Sequence, residues 1–154
     1  MRLHQTTVKP CSVRGVRVYE MRHVRDDARG NLTAVEFERD LPFLPRRYFV
    51  TFQIPSRQTR GEHAHRECAQ FLSCVRGSCR VALDDGMNRE VFSLDRPTLG
   101  LYVPPMVWAS EFGHSPDSAL MVFASHPYEP EDYIRDYDEF LALAGCAELV
   151  NDAP

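Results

Sequence analysis

The sequence predicts an all-β domain, a sandwich or small barrel, finished by one short C-terminal helix. Three observations predict it. Short runs rich in β-branched and aromatic residues recur at nearly even spacing. Turn clusters of Gly, Asp, Asn and Pro separate them. Only the last stretch, PEDYIRDYDEFLALAG, changes to a helical period.

Taken in order, residues 1 to about 14 show no clear periodicity and read as an extension. VRVYEM is a strand, DDARGN (26–31) a turn, and LTAVEF a strand. Pro42 and Pro45 mark a loop before RYFVTFQI (47–54), a strongly aromatic and β-branched strand. SRQTRG is a loop, the HAH segment is extended, and CAQFLSCV is a strand. Arg76-Gly77-Ser78 turns into CRVALD, and DDGMN is a hairpin signal before REVFSL. LGLYVPP, VWASEF and SALMVFAS complete the strands. Asp136 can cap a helix that carries Phe140, Leu141 and Ala144 on one side. The organisation read from this is an extension over 1–15, one domain over 16–146 and a tail over 147–154.

At 154 residues the chain suits one domain with a real core. A net charge of −4 argues against a nucleic-acid binder, which carries a basic excess. No apolar run approaches membrane-spanning length, and MRLHQTTVKP is too polar for a signal segment. The cysteines are Cys11, Cys68, Cys74, Cys79 and Cys146, an odd number without a CxxC pair. Neither a zinc nor a disulfide framework is expected, and the simplest compartment is the reducing cytoplasm.

The segment RGEHAHR (60–66) carries the chemistry. On a strand, His63 and His65 project from one face while Glu62, Ala64 and Arg66 face the other way. Two imidazoles alone are a poor site for zinc or iron, which take three or four protein ligands. The next candidates are Gln70, a weak ligand, and Glu67, so no metal is expected. An acid–base pair needs less, because histidine takes and gives protons near neutral pH. For an HxH taken alone, two surface or hydrogen-bonded structural histidines are the commoner case.

An HxH on such a strand resembles the cupin signature. Read together, RGEHAHRECAQFL, CVRGSCRVALDDG, LGLYVPPMVW and FASHPYEPEDYIRDYDEF resemble the sugar-nucleotide 3,4-ketoisomerases over roughly residues 26–142. The resemblance implies a small jelly-roll (cupin) barrel and a homodimer with exchanged N-terminal strands. It implies catalysis without metal or other cofactor. The expected reaction converts dTDP-4-keto-6-deoxyglucose to a dTDP-3-keto-6-deoxyhexose through an enediol, in deoxyamino-sugar biosynthesis. Two alternatives stay open. One is an isomerase or epimerase on a different nucleotide-linked keto sugar. The other is a non-catalytic cupin module that binds a nucleotide sugar.

The resemblance also assigns residues. His65 is taken as the main base at carbon and His63 as a second acid–base or positioning group, an order that could be reversed. Arg29, in ARGNL, matches an arginine near the family's substrate, and is otherwise a surface turn residue. Arg60 could hold the diphosphate by bidentate bonds or sit free on the surface. Gln70 could fix a histidine tautomer or cap a strand. Trp108 and Tyr102 are each a substrate wall or core. One departure stands out. Where the better-known ketoisomerases carry an active-site tyrosine, this chain has Phe49, and the neighbouring Tyr48 should face away unless a bulge turns it inward.

Overall fold

Turn residues separate the strands. A computed structural model describes the backbone of residues 1–151 and the side chains of residues 1–145. The first strands are β1 (Arg2–His4), β2 (Thr7–Pro10), β3 (Arg17–Glu20), β4 (Arg22–Arg25) and β5 (Leu32–Ala34). The middle holds β6 (Arg47–Phe52), β7 (Arg60–His65), β8 (Gln70–Arg76), β9 (Cys79–Asp84) and β10 (Arg89–Leu94). β11 (Leu99–Val103), β12 (Trp108–Phe112), β13 (Ala119–Ala124) and β14 (Tyr133–Ile134) follow, then helix α1 (Tyr137–Asn151).

Side-chain carboxylates build the turns. Asp26 accepts the amides of Ala28 and Arg29 at 3.0 and 3.1 Å, closing the turn between β4 and β5. Asp85 accepts the amides of Met87 and Asn88 at 2.8 and 2.7 Å, while Gly86 takes a φ of +93°. That sets the β9–β10 hairpin in register from Asp84↔Arg89 to Cys79↔Leu94. Asp136 caps the helix through its Oδ1, which accepts the Glu139 amide at 2.8 Å.

Two sheets face each other. One has the order β10-β9-β12-β7-β14 and the other β2-β3-β11-β8-β13-β6. Their inner faces share one core, with Leu72, Leu101, Leu120 and Val122 from one side and Val81, Leu83 and Ala109 from the other. This is the all-β jelly roll expected, with one C-terminal helix. α1 lies on the outer face of the five-stranded sheet, where Phe140 and Ala144 pack with Ala64 and Ile134. Leu141, expected on the same side, stays outside this cluster and is 36% exposed. The outer face of the six-stranded sheet carries a second cluster of Tyr19, Met21, Leu41 and Phe71.

Several local readings change. LTAVEF keeps only Leu32–Ala34 as strand, and β4 lies where no strand was expected. The first fifteen residues are not featureless, because β1 pairs with β4 and β2 with β3, both antiparallel. Their side chains are exposed, so no apolar alternation announces them. β6 stops at Phe52 because Gln53 turns to φ +54°. The helix continues to Asn151, into the segment read as a tail, of which residues 152–154 lie outside the described part.

Candidate active site

β7 is the strand that carries the motif, and it is not regular. Gly61 and Glu62 take φ values of +78° and +53°. Opposite them the register with β12 slips, pairing Ala109 with His63 but Ser110 with Gly61. A bulge therefore interrupts the strand just before the histidines. Past it the alternation is restored. Ala64 is fully buried under α1, while His63 and His65 turn together to the other face, ring centroids 4.9 Å apart and perpendicular.

That face opens into a cleft of about 250 Å³, enough for a sugar ring. Phe49 and Thr51 of β6, Gln70 of β8 and Val122 of β13 line one side. Arg60, Gly61 and His63 of β7, Glu111 of β12, Tyr133 of β14 and Arg135 line the other. His65 sits behind His63, only 6% exposed. The Tyr133 ring lies against both imidazoles, 4.8 Å from His63 and 4.4 Å from His65. Its backbone pairs directly with His65, which is why the two side chains meet. The Arg135 guanidinium stacks on the outer side of the Tyr133 ring, 4.3 Å from its centroid.

Hydrogen bonds fix the tautomers. Nδ1 of His63 lies 2.9 Å from the Gly61 carbonyl, which can only accept, so Nδ1 carries the proton. Nδ1 of His65 lies 2.8 Å from Oδ2 of Asp132. Burial lowers the basicity of both rings. His65 falls to about 4 even though Asp132 pulls the other way, and His63 is lowered further by Arg135 and Arg47. Burial works to raise Asp132, but the amides of Glu67 and Cys68 and the His65 proton outweigh it and keep it an anion. Both histidines are therefore neutral, each with its Nε2 lone pair free. In His65 that Nε2 is buried and has no hydrogen-bond partner.

Among the described residues, His65, Cys68 and Asp132 form a group of potential metal donors within 4.8 Å of one another. Asp132 is already committed there. Its Oδ1 accepts the Glu67 amide at 2.7 Å, and its Oδ2 takes His65 and the Cys68 amide at 3.3 Å. The carboxylate thus acts as the holder of an imidazole. No helix among the described residues is long and apolar enough to cross a membrane.

The residues singled out in the sequence divide. His63, Arg60 and Gln70 line the cleft, and His65 backs it. Trp108 does not. One residue from Ala109, it takes the opposite face of β12 and packs on Tyr137 and Phe140 of α1. It borders a different groove with Glu62, Asp84 and Arg89. Tyr102 alternates outward from Leu101 and Val103, stacking with Arg17 and Phe43. Arg29 is paired with Asp26 at the exposed β4–β5 turn, away from the cleft. Tyr48 is 60% exposed, and β6 pairs with β13 without a slip, so no bulge turns it inward. Phe49 takes the place that faces the cleft.

Three groups of the cleft, Glu111, Tyr133 and Arg135, and the holder of His65, Asp132, escaped the sequence reading. The last three stand in DYIR, which reads as a lead into the helix. Their position against His65 comes from β14 pairing with β7 across 67 residues of chain. Glu111 shares parity with Ala109 along VWASEF, but only the pairing of Ala109 with His63 shows which parity faces the cleft.

Residues 14–145 match the family described as FdtA: WxcM-like, C-terminal. A TDP-4-oxo-6-deoxy-alpha-D-glucose-3,4-oxoisomerase from Aneurinibacillus thermoaerophilus is 45% identical over 114 residues, covering 74% of this chain and 82% of the relative. The WlaRB TDP-quinovose 3,4-ketoisomerase from Campylobacter jejuni superposes with a TM-score of 0.80 at 37% identity, covering 84% of this chain and 99% of that one. A mutant of the 3,4-ketoisomerase QdtA from Thermoanaerobacterium thermosaccharolyticum, in complex with TDP-4-keto-6-deoxyglucose, superposes with a TM-score of 0.83 at 30% identity, covering 87% and 96%.

Proposed function

We propose, for a chain that belongs to the FdtA family of sugar-nucleotide 3,4-ketoisomerases, that it converts dTDP-4-keto-6-deoxyglucose to a dTDP-3-keto-6-deoxyhexose. The observation that carries the reading is the pair of neutral imidazoles with free Nε2 lone pairs beside a sugar-sized cleft.

The chemistry follows from the substrate. The C3 proton is acidic because it lies next to the C4 carbonyl. A base removes it, an enediol forms, and a proton returned to C4 leaves the ketone at C3. No electron leaves the sugar. His65 is the base at carbon, with Asp132 holding its Nδ1–H so that Nε2 is the basic atom. His63 stands beside it as a second acceptor or positioning group. Gln70 offers amide hydrogen bonds from the opposite wall, and Arg60, at the rim, suits the diphosphate. The apolar wall of Phe49 and Val122 strengthens these interactions by keeping water out.

Two further assignments belong to this reading. β1 and β2 pair with β4 and β3 of their own chain, and a homodimer with exchanged N-terminal strands would remake those pairings between two copies. Light scattering of the full chain and of a variant lacking residues 1–10 would test this, and the truncated form is expected to be monomeric. Cys11, Cys68, Cys74 and Cys79 are free thiols, which suits the cytoplasm.

The test of the function is proton NMR of EDTA-treated protein with dTDP-4-keto-6-deoxyglucose in deuterated buffer. A 3-keto sugar carrying solvent deuterium at C4 is the expected product. Folded protein that gives neither product nor exchange would sink the reading.

A further inference from the structure

Moving a ketone by one carbon requires two proton transfers at carbon and two at oxygen. The histidines account for the carbons only. Each holds its one N–H on a fixed acceptor, the Gly61 carbonyl or the Asp132 carboxylate. Neither offers a proton to the cleft at the start of the reaction. The C4 oxygen nevertheless gains a proton as C3 loses one, and the C3 oxygen gives one up later.

The cleft holds few groups able to do both. The guanidinium groups of Arg60 and Arg135 are donors without an acceptor, and the Gln70 amide does not exchange protons in this sense. The hydroxyls of Thr51 and Tyr133 offer one oxygen each. Glu111 offers two. The fold makes room for it. A Cβ on Gly61 would lie 2.9 Å from Glu111 Oε2 and 2.9 Å from the Ala109 carbonyl, so the bare bulge is what admits the carboxyl.

Resting on the ketoisomerase reading above, we propose that Glu111 is the oxygen-side proton carrier of this cleft. As His65 Nε2 takes the C3 proton, the C3–H electron pair becomes the C3=C4 bond. The carbonyl electron pair goes to the C4 oxygen, which takes the Glu111 proton. The state reached is a neutral enediol, an imidazolium and a carboxylate. In the second half the imidazolium returns its proton to C4. The C3 hydroxyl proton passes to Glu111, and the C3 carbonyl forms. Both enzyme groups end as they began.

The electrostatics support the geometry. Burial pushes the Glu111 carboxyl up to about 7, against the pull of Arg60. The charged and titratable groups around it are Arg60 and His63 on β7, Cys79 on β9, His114 just beyond β12, and Tyr133 and Arg135 on the β14 side. The acid is therefore present below about pH 7 and is lost above it.

The experiment compares the full-length protein with Glu111→Gln and Glu111→Asp. Wild-type kcat is expected to fall as pH rises through about 7. Glu111→Gln should lose about a hundredfold in kcat at pH 6.5 with KM nearly unchanged, and the alkaline limb should vanish. Glu111→Asp, a shorter acid, should recover part of the rate and the limb. An unchanged limb in Glu111→Gln, or a rate within about threefold of wild type, overturns the proposal. Infrared difference spectra between about pH 6 and pH 8.5 read Glu111 without any substrate. A carboxylic-acid carbonyl band present at the lower pH and missing in Glu111→Gln is expected. A carboxylate already ionised at the lower pH overturns the proposal, whatever sugar the protein takes. A wild-type protein inert toward the dTDP sugar would instead condemn the substrate assignment.

Discussion

Asp132 holds His65 from the far end of the chain, its Oδ2 2.8 Å from the ring Nδ1. The same carboxylate accepts the Glu67 and Cys68 amides, so one side chain closes a loop and selects a tautomer. Asp132→Asn can present its NH2 to the ring and favour the wrong tautomer. A loss of about a hundredfold in kcat is expected, with TDP affinity little changed. Nitrogen NMR of labelled histidine should show the Nε2–H form gaining. If the tautomer and the rate both stay put, Asp132 is only structural.

Stability should depend on pH through the same ring. His65 titrates near 4 when folded and at an ordinary 6.5 when unfolded. Below 6.5 the unfolded chain binds a proton that the folded one refuses. Stability is therefore lost as pH falls from about 6.5 to about 4, by about 3 kcal/mol at most. His63 and His114, also lowered by burial, act in the same direction. Urea melts at pH 7 and pH 4.5 measure this, and His65→Gln should flatten the dependence. Equal slopes in both proteins would refute it.

Tyr133 supplies a ring more than a hydroxyl. It packs on both imidazoles at under 5 Å. Tyr133→Phe keeps that surface and should retain kcat within about tenfold. Tyr133→Ala frees both rings and should cost about a hundredfold. A Tyr133→Phe protein as dead as Tyr133→Ala would make the phenol itself a reacting group.

Gly61→Ala puts a Cβ at a φ of +78° and against the Ala109 carbonyl. A destabilisation of about 1–3 kcal/mol is expected. The same Cβ crowds Glu111, so activity should fall further than a matched loss of stability explains. Thermal melts beside kcat separate the two effects.

Trp108, the one tryptophan in the chain, reports on the helix and not on the sugar. It stacks on Tyr137 and Phe140, across the sheet from the cleft. Adding TDP sugar should leave its emission nearly unchanged, whereas Phe140→Ala should shift it to the red. Strong quenching by the ligand would place Trp108 nearer the site than its strand parity allows.

What could be read in the chain beforehand was whatever depends on neighbours in sequence. Alternation of two put His63 and His65 on one face, and the turn residues marked the strand ends. The Asp136 cap was legible because its partner, Glu139, is three residues away. Arg60 and Gln70 fell near the motif and reached the cleft with it.

The sequence by itself thus determined an all-β barrel, its helix and a paired-histidine strand, because backbone preference and side-chain period act over a few residues. Tertiary structure alone decided which face of each strand meets the cleft. Trp108 and Tyr102 alternate away from it, while Glu111 alternates toward it. It also decided that DYIR folds back 67 residues onto His65. Such pairing is set by sheet register and by the burial it achieves, and a one-residue change of register would reverse every assignment.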